Sequence, residues 1–125
     1  MTRLLLDTHA VLWWLTDDPA LPSGPREAIA DPANEVLVST ASLWEMAIKA
    51  SLGKLTVPDD LPAAIGAEGF TWLQVRREHA WEVRLLPLHH RDPFDRLLVA
   101  QARVEGTPLL SGDQRLGAYD VDRRW

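Results

Sequence analysis

Three very short, wholly apolar runs constrain what this chain can fold into. Leu4, Leu5 and Leu6 after Arg3 stop at Asp7; Val36, Leu37 and Val38 stop at Ser39; Leu109 and Leu110 after Pro108 stop at Ser111. None alternates apolar with polar, so each reads as a strand buried on both faces, the habit of parallel sheets covered by helices. Helical stretches lie between them. Thr8 to Leu15 carries Val11, Leu12, Trp14 and Leu15 on an apolar stripe and stops at Asp17, Asp18 and Pro19; Pro22 to Ala30 closes at Asp31 to Asn34. A helix capped by Ser39 or Thr40 runs to about Ser51 and ends at Gly53, and Asp59 to Glu68 forms another, ended by Gly69. Thr71 to Val75 alternates like a strand, and Glu78 to Leu86 is helical before Pro87. Pro93 opens a helix from Phe94 to Glu105 that turns Leu97, Leu98, Gln101, Ala102 and Val104 inward and ends at Gly106. A short helix to Leu116 and an edge strand from Val121 follow. Strands alternating with helices predict a three-layer α/β/α sandwich around a short, mostly parallel sheet. With no repeat, linker or low-complexity stretch, residues 1–125 are expected to form a single domain.

Composition narrows the class. Apolar residues at 46% and charged residues at 25% exclude a disordered or collagen-like chain. The absence of cysteine excludes disulfides, thiolate zinc sites and a Cys nucleophile, and is compatible with a reducing compartment. The longest apolar run, Ala10 to Leu15, falls far short of the roughly 20 residues that span a bilayer. Arg3 and its leucines look like the start of a secretion signal, but Asp7 and His9 interrupt it and no small-residue cleavage site follows. The expectation is a cytoplasmic protein without a membrane segment. The net charge of −5 argues against a nonspecific nucleic-acid coat. Eleven of thirteen bases are Arg, however, the side chain suited to phosphate.

The informative feature is where four acids fall. Asp7 and Asp113 lie just past apolar strands, Glu45 lies in the helix after the second strand, and Asp95 lies in the first turn of the Pro93 helix. Ligands of open parallel sheets sit outside the carboxyl ends of the strands, where these acids converge. Gathered carboxylates repel unless a cation joins them, and oxygen ligands without Cys select a hard ion, Mg²⁺ or Mn²⁺. Each acid alone also fits a helix cap: Ser42 with Glu45 and Asp92 with Asp95 have capping-box spacing, and Asp7 and Asp113 precede helices. Four such acids at one sheet edge make coincidence the weaker account.

Leu6-Asp7-Thr8-His9, Ser42-Leu43-Trp44-Glu45-Met46-Ala47-Ile48-Lys49 with Gly53-Lys54-Leu55, His90-Arg91-Asp92-Pro93-Phe94-Asp95-Arg96 and Leu110-Ser111-Gly112-Asp113 resemble the PIN domain, most closely its VapC-type ribonuclease toxins. Asp7, Glu45, Asp95 and Asp113 take the four acid positions. The resemblance implies a metal-dependent endoribonuclease acting on structured RNA such as tRNA, the toxin of a toxin–antitoxin pair, with a homodimer and a cognate antitoxin as partners. Mg²⁺ held mainly by Asp7 and Asp95, and completed by Asp113, would activate a water and neutralise phosphate charge, with Glu45 positioning the water or acting as base. The products would be a 5′-phosphate and a 3′-hydroxyl. Ser111 stands where the family often has Thr, and Ser111, Thr8 and Arg96 are expected beside the metal or substrate. The further acid of some members is absent, since Gln114 and Arg115 follow Asp113, which weighs against a second tightly held ion.

The rival readings are a non-catalytic PIN-like binding module and an acidic phosphoryl-transfer domain. The second needs an Asp pair or Asp-x-Asp at the first strand, and Asp7-Thr8-His9 has neither. His9, His79, His89 and His90 show no ligand spacing, and only His9 is expected near the site. Trp14, Trp44 and Trp81 are expected in the core, whereas Trp13 fits an interface or a partly buried edge position equally well. Among the arginines Arg96 is favoured as an RNA contact, while Arg76, Arg77, Arg84, Arg91, Arg103 and Arg115 are mostly expected on solvated faces.

Overall fold

The structure is a computed structural model and describes residues 2–125. Its elements are β1 (Arg3–Leu6), α1 (Thr8–Leu15), α2 (Ser23–Ala30), β2 (Glu35–Ser39), α3 (Thr40–Ser51), α4 (Leu61–Ala67), β3 (Thr71–Leu73), α5 (Arg77–Glu82), α6 (Pro93–Glu105), β4 (Leu109–Leu110) and β5 (Arg123–Arg124). Single 3₁₀ segments occupy Val83–Leu85 and Gln114–Ala118. The five strands run in the order β3-β2-β1-β4-β5 and every neighbouring pair is parallel.

The apolar runs are buried on both faces, and their side chains alternate between two cores. Leu5, Leu37 and Leu109 pack with Leu98 and Val99 of α6 and with Leu86, Leu116 and Tyr119. Leu6, Val36, Val38 and Leu110 pack with Val11 of α1, Ile29 of α2, Met46 of α3 and Ile65 of α4. Helix α3 touches both α1 and α6, closing the carboxyl end of the sheet between the two layers. No helix among the described residues is long and apolar enough to cross a membrane.

The structure corrects the sequence reading at several points. Strand β3 ends at Leu73, not Val75, because the Val75 N–H donates to the Thr40 hydroxyl (3.2 Å) and leaves the ladder. The helix expected over Glu78 to Leu86 is α from Arg77 only to Glu82 and then tightens to 3₁₀. Val121 belongs to a turn, its N–H donating to the Tyr119 carbonyl (2.8 Å), and the edge strand is Arg123–Arg124. Trp44 and Trp81 are exposed (61% and 67%) where a core place was expected. Trp44 meets the edge of Phe94, and the Arg84 guanidinium covers Trp81 at 4.3 Å. Trp13 and Trp14 are both half-buried against the second core. The middle of α6 is enclosed, so Leu98 to Ala102 are all buried, whereas Leu97 is only half-buried and Val104 is exposed.

Candidate metal centre

β1 delivers Asp7 to the carboxyl edge of the sheet, where it caps α1 by accepting the Ala10 N–H at 2.8 Å. The Ser111 hydroxyl, at the end of the adjacent β4, is near enough to favour its charged form. The carboxyl is only 4% exposed and no ion pair reaches it among the described residues. Burial pushes Asp7 above the ordinary carboxylate range, with the charge of Asp95 acting in the same direction and the Ser111 and Ala10 bonds opposing it.

α3 contributes Glu45. The helix starts at Thr40 with Ser39 as its cap (Ala41 N–H to Ser39 Oγ, 3.0 Å), so Ser42 and Glu45 form no capping box. Glu45 is instead buried in the second turn. Its Oε1 lies 2.8 Å from the Thr8 hydroxyl, which also lies 3.1 Å from Ser42, and its Oε2 accepts from Lys49 Nζ at 2.9 Å.

α6 contributes Asp95. Asp92 caps this helix through the N–H groups of Phe94 and Asp95 (2.8 and 3.1 Å), as its sequence suggested. The Asp95 carboxylate does not reach back to the cap; its Oδ2 meets His90 Nε2 at 2.8 Å. Burial raises Asp95 as well, the charges of Asp92 and Glu45 add to the rise, and His90 opposes it. Asp113 caps the 3₁₀ segment, and its N–H donates to Ser111 Oγ at 3.1 Å. Arg115 grips both its oxygens (3.0 and 2.9 Å) and so holds its carboxyl below the usual range.

The four acids therefore share one field. Asp7 senses Asp95, Asp95 senses Glu45, Ser111 links Asp7 with Asp113, and His90 stands between Asp95 and Asp113, 3.6 Å from the latter's Oδ2. His90, Asp95 and Asp113 each offer a ligand-type atom within 4.8 Å of one another. Asp7 is not in that group of three, whose carboxylates, Asp95 and Asp113, are oxygen donors that fit a hard divalent cation.

Sequence reasoning missed three neighbours of these acids. Lys49 was visible as the i+4 partner of Glu45. Arg115 is visible only once Asp113 is known to start a 3₁₀ turn. His90 reaches Asp95 across the Pro93 helix start, a bend that no spacing rule encodes. His9, the only histidine expected near the site, is exposed and packs on Trp13 at 5.4 Å; it bonds none of the acids among the described residues, although its charge acts on Asp7, and His90 is the histidine that bonds an acid of the site. Arg96, favoured as an RNA contact, turns onto the chain itself. Its guanidinium donates to the carbonyls of Pro87 (3.0 Å), Leu86 (3.3 Å) and His90 (3.4 Å) and to the Tyr119 hydroxyl (3.2 Å), pinning the loop that carries His90.

The family model described as PIN domain matches residues 4–122 of this chain. The chain belongs to the PIN domain family. The PIN domain is 29% identical over 130 residues to Ribonuclease VapC22 of Mycobacterium tuberculosis, covering 95% of this chain and 93% of that protein. It shares its fold with a chain of VapBC2 from Rickettsia felis, solved bound to a promoter DNA fragment (TM-score 0.73, 12% identity, 98% of both chains). A chain of DNA-bound VapBC from Salmonella typhimurium is equally similar (TM-score 0.72, 16% identity, 99% of this chain and 98% of that one).

Proposed function

We propose that residues 1–125 act as one PIN domain that hydrolyses RNA phosphodiester bonds with Mg²⁺, or Mn²⁺ in its place, as the toxin of a toxin–antitoxin pair. The observation that carries this reading is Asp7, a buried carboxylate with no ion-pair partner among the described residues, raised by burial and set beside Asp95. Such a group gains most from a cation. The likeness to a protein named a ribonuclease and to chains of VapBC complexes supports the reaction class and the antitoxin partner. A structured RNA such as tRNA as substrate, a homodimer and a cytoplasmic location belong to the same proposal.

Asp7, Asp95 and Asp113 would hold the ion. When bound, it supplies a Lewis acid for the phosphate and lowers the pKa of a water. Glu45, held on one oxygen by Thr8 and on the other by Lys49, would steer that water or take its proton. Ser111 fixes the Asp7 carboxyl and the Asp113 backbone at once.

Asp7→Asn keeps the cap, since Asn caps as well as Asp, and removes the charge. Purified and shown folded by circular dichroism, it should lose cleavage of total tRNA by more than about 100-fold. The wild type should lose the same activity in EDTA and regain it with Mg²⁺. Cleavage by Asp7→Asn at the wild-type rate overturns the metal reading, and tight Mg²⁺ binding by the wild type with no cleavage of any RNA makes the domain a binding module instead.

A further inference from the structure

His90 takes no part in the chemistry above, yet its ring is nearly enclosed and points into the acids (side chain 9% exposed). Its place is fixed from the backbone. The His90 N–H donates to the Tyr119 hydroxyl at 2.9 Å, and its carbonyl accepts from Arg96. The ring's Nδ1 accepts the Arg91 N–H at 3.1 Å, and a nitrogen that accepts carries no proton. With Nδ1 accepting, Nε2 is the ring nitrogen left to donate, and it lies 2.8 Å from Asp95 Oδ2. In this state Nε2 donates and has no lone pair for a metal, although its position among the carboxylates is that of a ligand.

We infer that His90 is a positioning residue that clamps Oδ2 of Asp95 and leaves Oδ1 alone to face the ion. This rests on the metal-centre reading above and goes beyond it by assigning a basis for metal choice. Oδ1 accepts no hydrogen bond among the described residues, so one oxygen is free and the other is occupied. A carboxylate restricted to one oxygen suits Mg²⁺ and Mn²⁺, which take near-octahedral shells of single oxygens. It disfavours Ca²⁺, whose larger shell commonly takes carboxylates through both oxygens. His90 thus selects the ion without touching it.

The test is metal affinity by calorimetry on the whole chain, for Mg²⁺, Mn²⁺ and Ca²⁺, with wild type, His90→Leu, His90→Ala and His90→Gln. Leu keeps bulk without a donor and Ala guards against a misfolded Leu variant. Gln places an amide N–H near the position of Nε2. Losing the clamp should weaken Mg²⁺ and Mn²⁺ by about 10- to 100-fold, the usual effect of removing a group that orients a ligand. Ca²⁺ should weaken less, so the preference for Mg²⁺ over Ca²⁺ falls, and Gln should restore most of it. Unchanged Mg²⁺ affinity or an unchanged ratio in the Leu and Ala variants overturns the clamp. So does a ¹⁴N coupling on bound Mn²⁺ that vanishes in His90→Leu, because the ring would then be a ligand. A wild type that binds none of the three ions overturns the metal centre itself and the clamp with it, whereas wild-type binding with unaltered variants overturns the clamp alone.

Discussion

The two ends of α6 carry the same pair, a buried histidine against a carboxylate, in opposite electrostatic states. At the C-terminal end His79 Nε2 meets Glu105 at 3.0 Å; at the N-terminal end His90 Nε2 meets Asp95 at 2.8 Å. His79 is fully buried, its Nδ1 accepts the Arg76 N–H, and the Arg76 guanidinium joins His79 on Glu105. Glu105 is held below its ordinary range, first by the His79 bond and then by the charge of Arg76. Asp95 is pushed above its range by burial, and its carboxylate neighbours Asp92 and Glu45 add to the rise. The pair itself does not separate a structural site from a functional one. What separates them is whether the chain completes the compensation or leaves it to something else.

Asp95→Asn is the sharpest way to break that comparison. It should lower cleavage and Mg²⁺ affinity by more than about 100-fold, read by calorimetry and by tRNA cleavage. The metal-free protein should become more stable, because a carboxylate that burial opposes has been removed. The sign follows from proton counting. Asp7 and Asp95 have folded pKa values raised above their unfolded ones, so between the two values the folded state holds more protons. Metal-free stability therefore falls as pH rises through that window, and metal affinity rises with it. Melting curves from pH 4 upward should show a shallower decline for Asp95→Asn than for wild type. Glu105 and Asp113 act with the opposite sign: their lowered values give stability that is present above the unfolded pKa and lost on acidification. Equal slopes for Asp95→Asn and wild type would leave the two ends of α6 alike.

At the other end, His79→Ala should destabilise the fold by about 2–4 kcal/mol in urea denaturation. It opens a cavity, strands the Arg76 N–H, and takes one partner each from Glu105, which keeps Arg76, and from the Gln101 amide, which faces the ring at 3.3 Å and keeps the Gln74 carbonyl at 3.5 Å. Mg²⁺ affinity should stay within about twofold of wild type. A metal affinity that falls in step with stability would show the two ends acting as one unit.

This contrast marks how far the sequence could be read. The parallel sheet was legible because uninterrupted apolar runs as short as Val36 to Val38 have few other uses, and the helices because their caps and stops are local. Asp7, Asp92 and Asp113 proved to be caps for the same reason. The rival cap reading of Glu45 fails although Ser42-x-x-Glu45 has capping-box spacing, because the helix starts earlier, at Thr40. Trp44 and Trp81 were placed in the core on hydrophobicity alone, but which side of a helix faces the sheet depends on packing. Asp7 and Asp113 were legible through strand ends, and Glu45 and Asp95 through the helices that follow. Their partners were not: neither His79 nor His90 stands at a ligand spacing in the sequence, and only the tertiary loop pinned by Arg96 turns one of them into the site.

The smallest effect tests whether the chain's own cations compete with the metal. Arg115 lies on Asp113 as Arg76 lies on Glu105, and both are exposed (side chains 65% and 54%), but Asp113 is one of the carboxylates proposed to hold the ion. A guanidinium held on both oxygens of Asp113 must yield part of that contact for the carboxylate to bind a cation. Arg115→Ala should therefore tighten Mg²⁺ binding by about two- to fivefold at low salt, the range of an exposed pair. The difference should vanish near 0.5 M salt, where screening shortens the reach of exposed charges to a few ångströms. Arg76→Ala, at the completed end of α6, should leave Mg²⁺ affinity unchanged at either salt. Weaker Mg²⁺ binding in Arg115→Ala would reverse the argument. Arg115 would then hold Asp113 in place for the ion, and compensation at the N-terminal end of α6 would be part of the site and not its competitor.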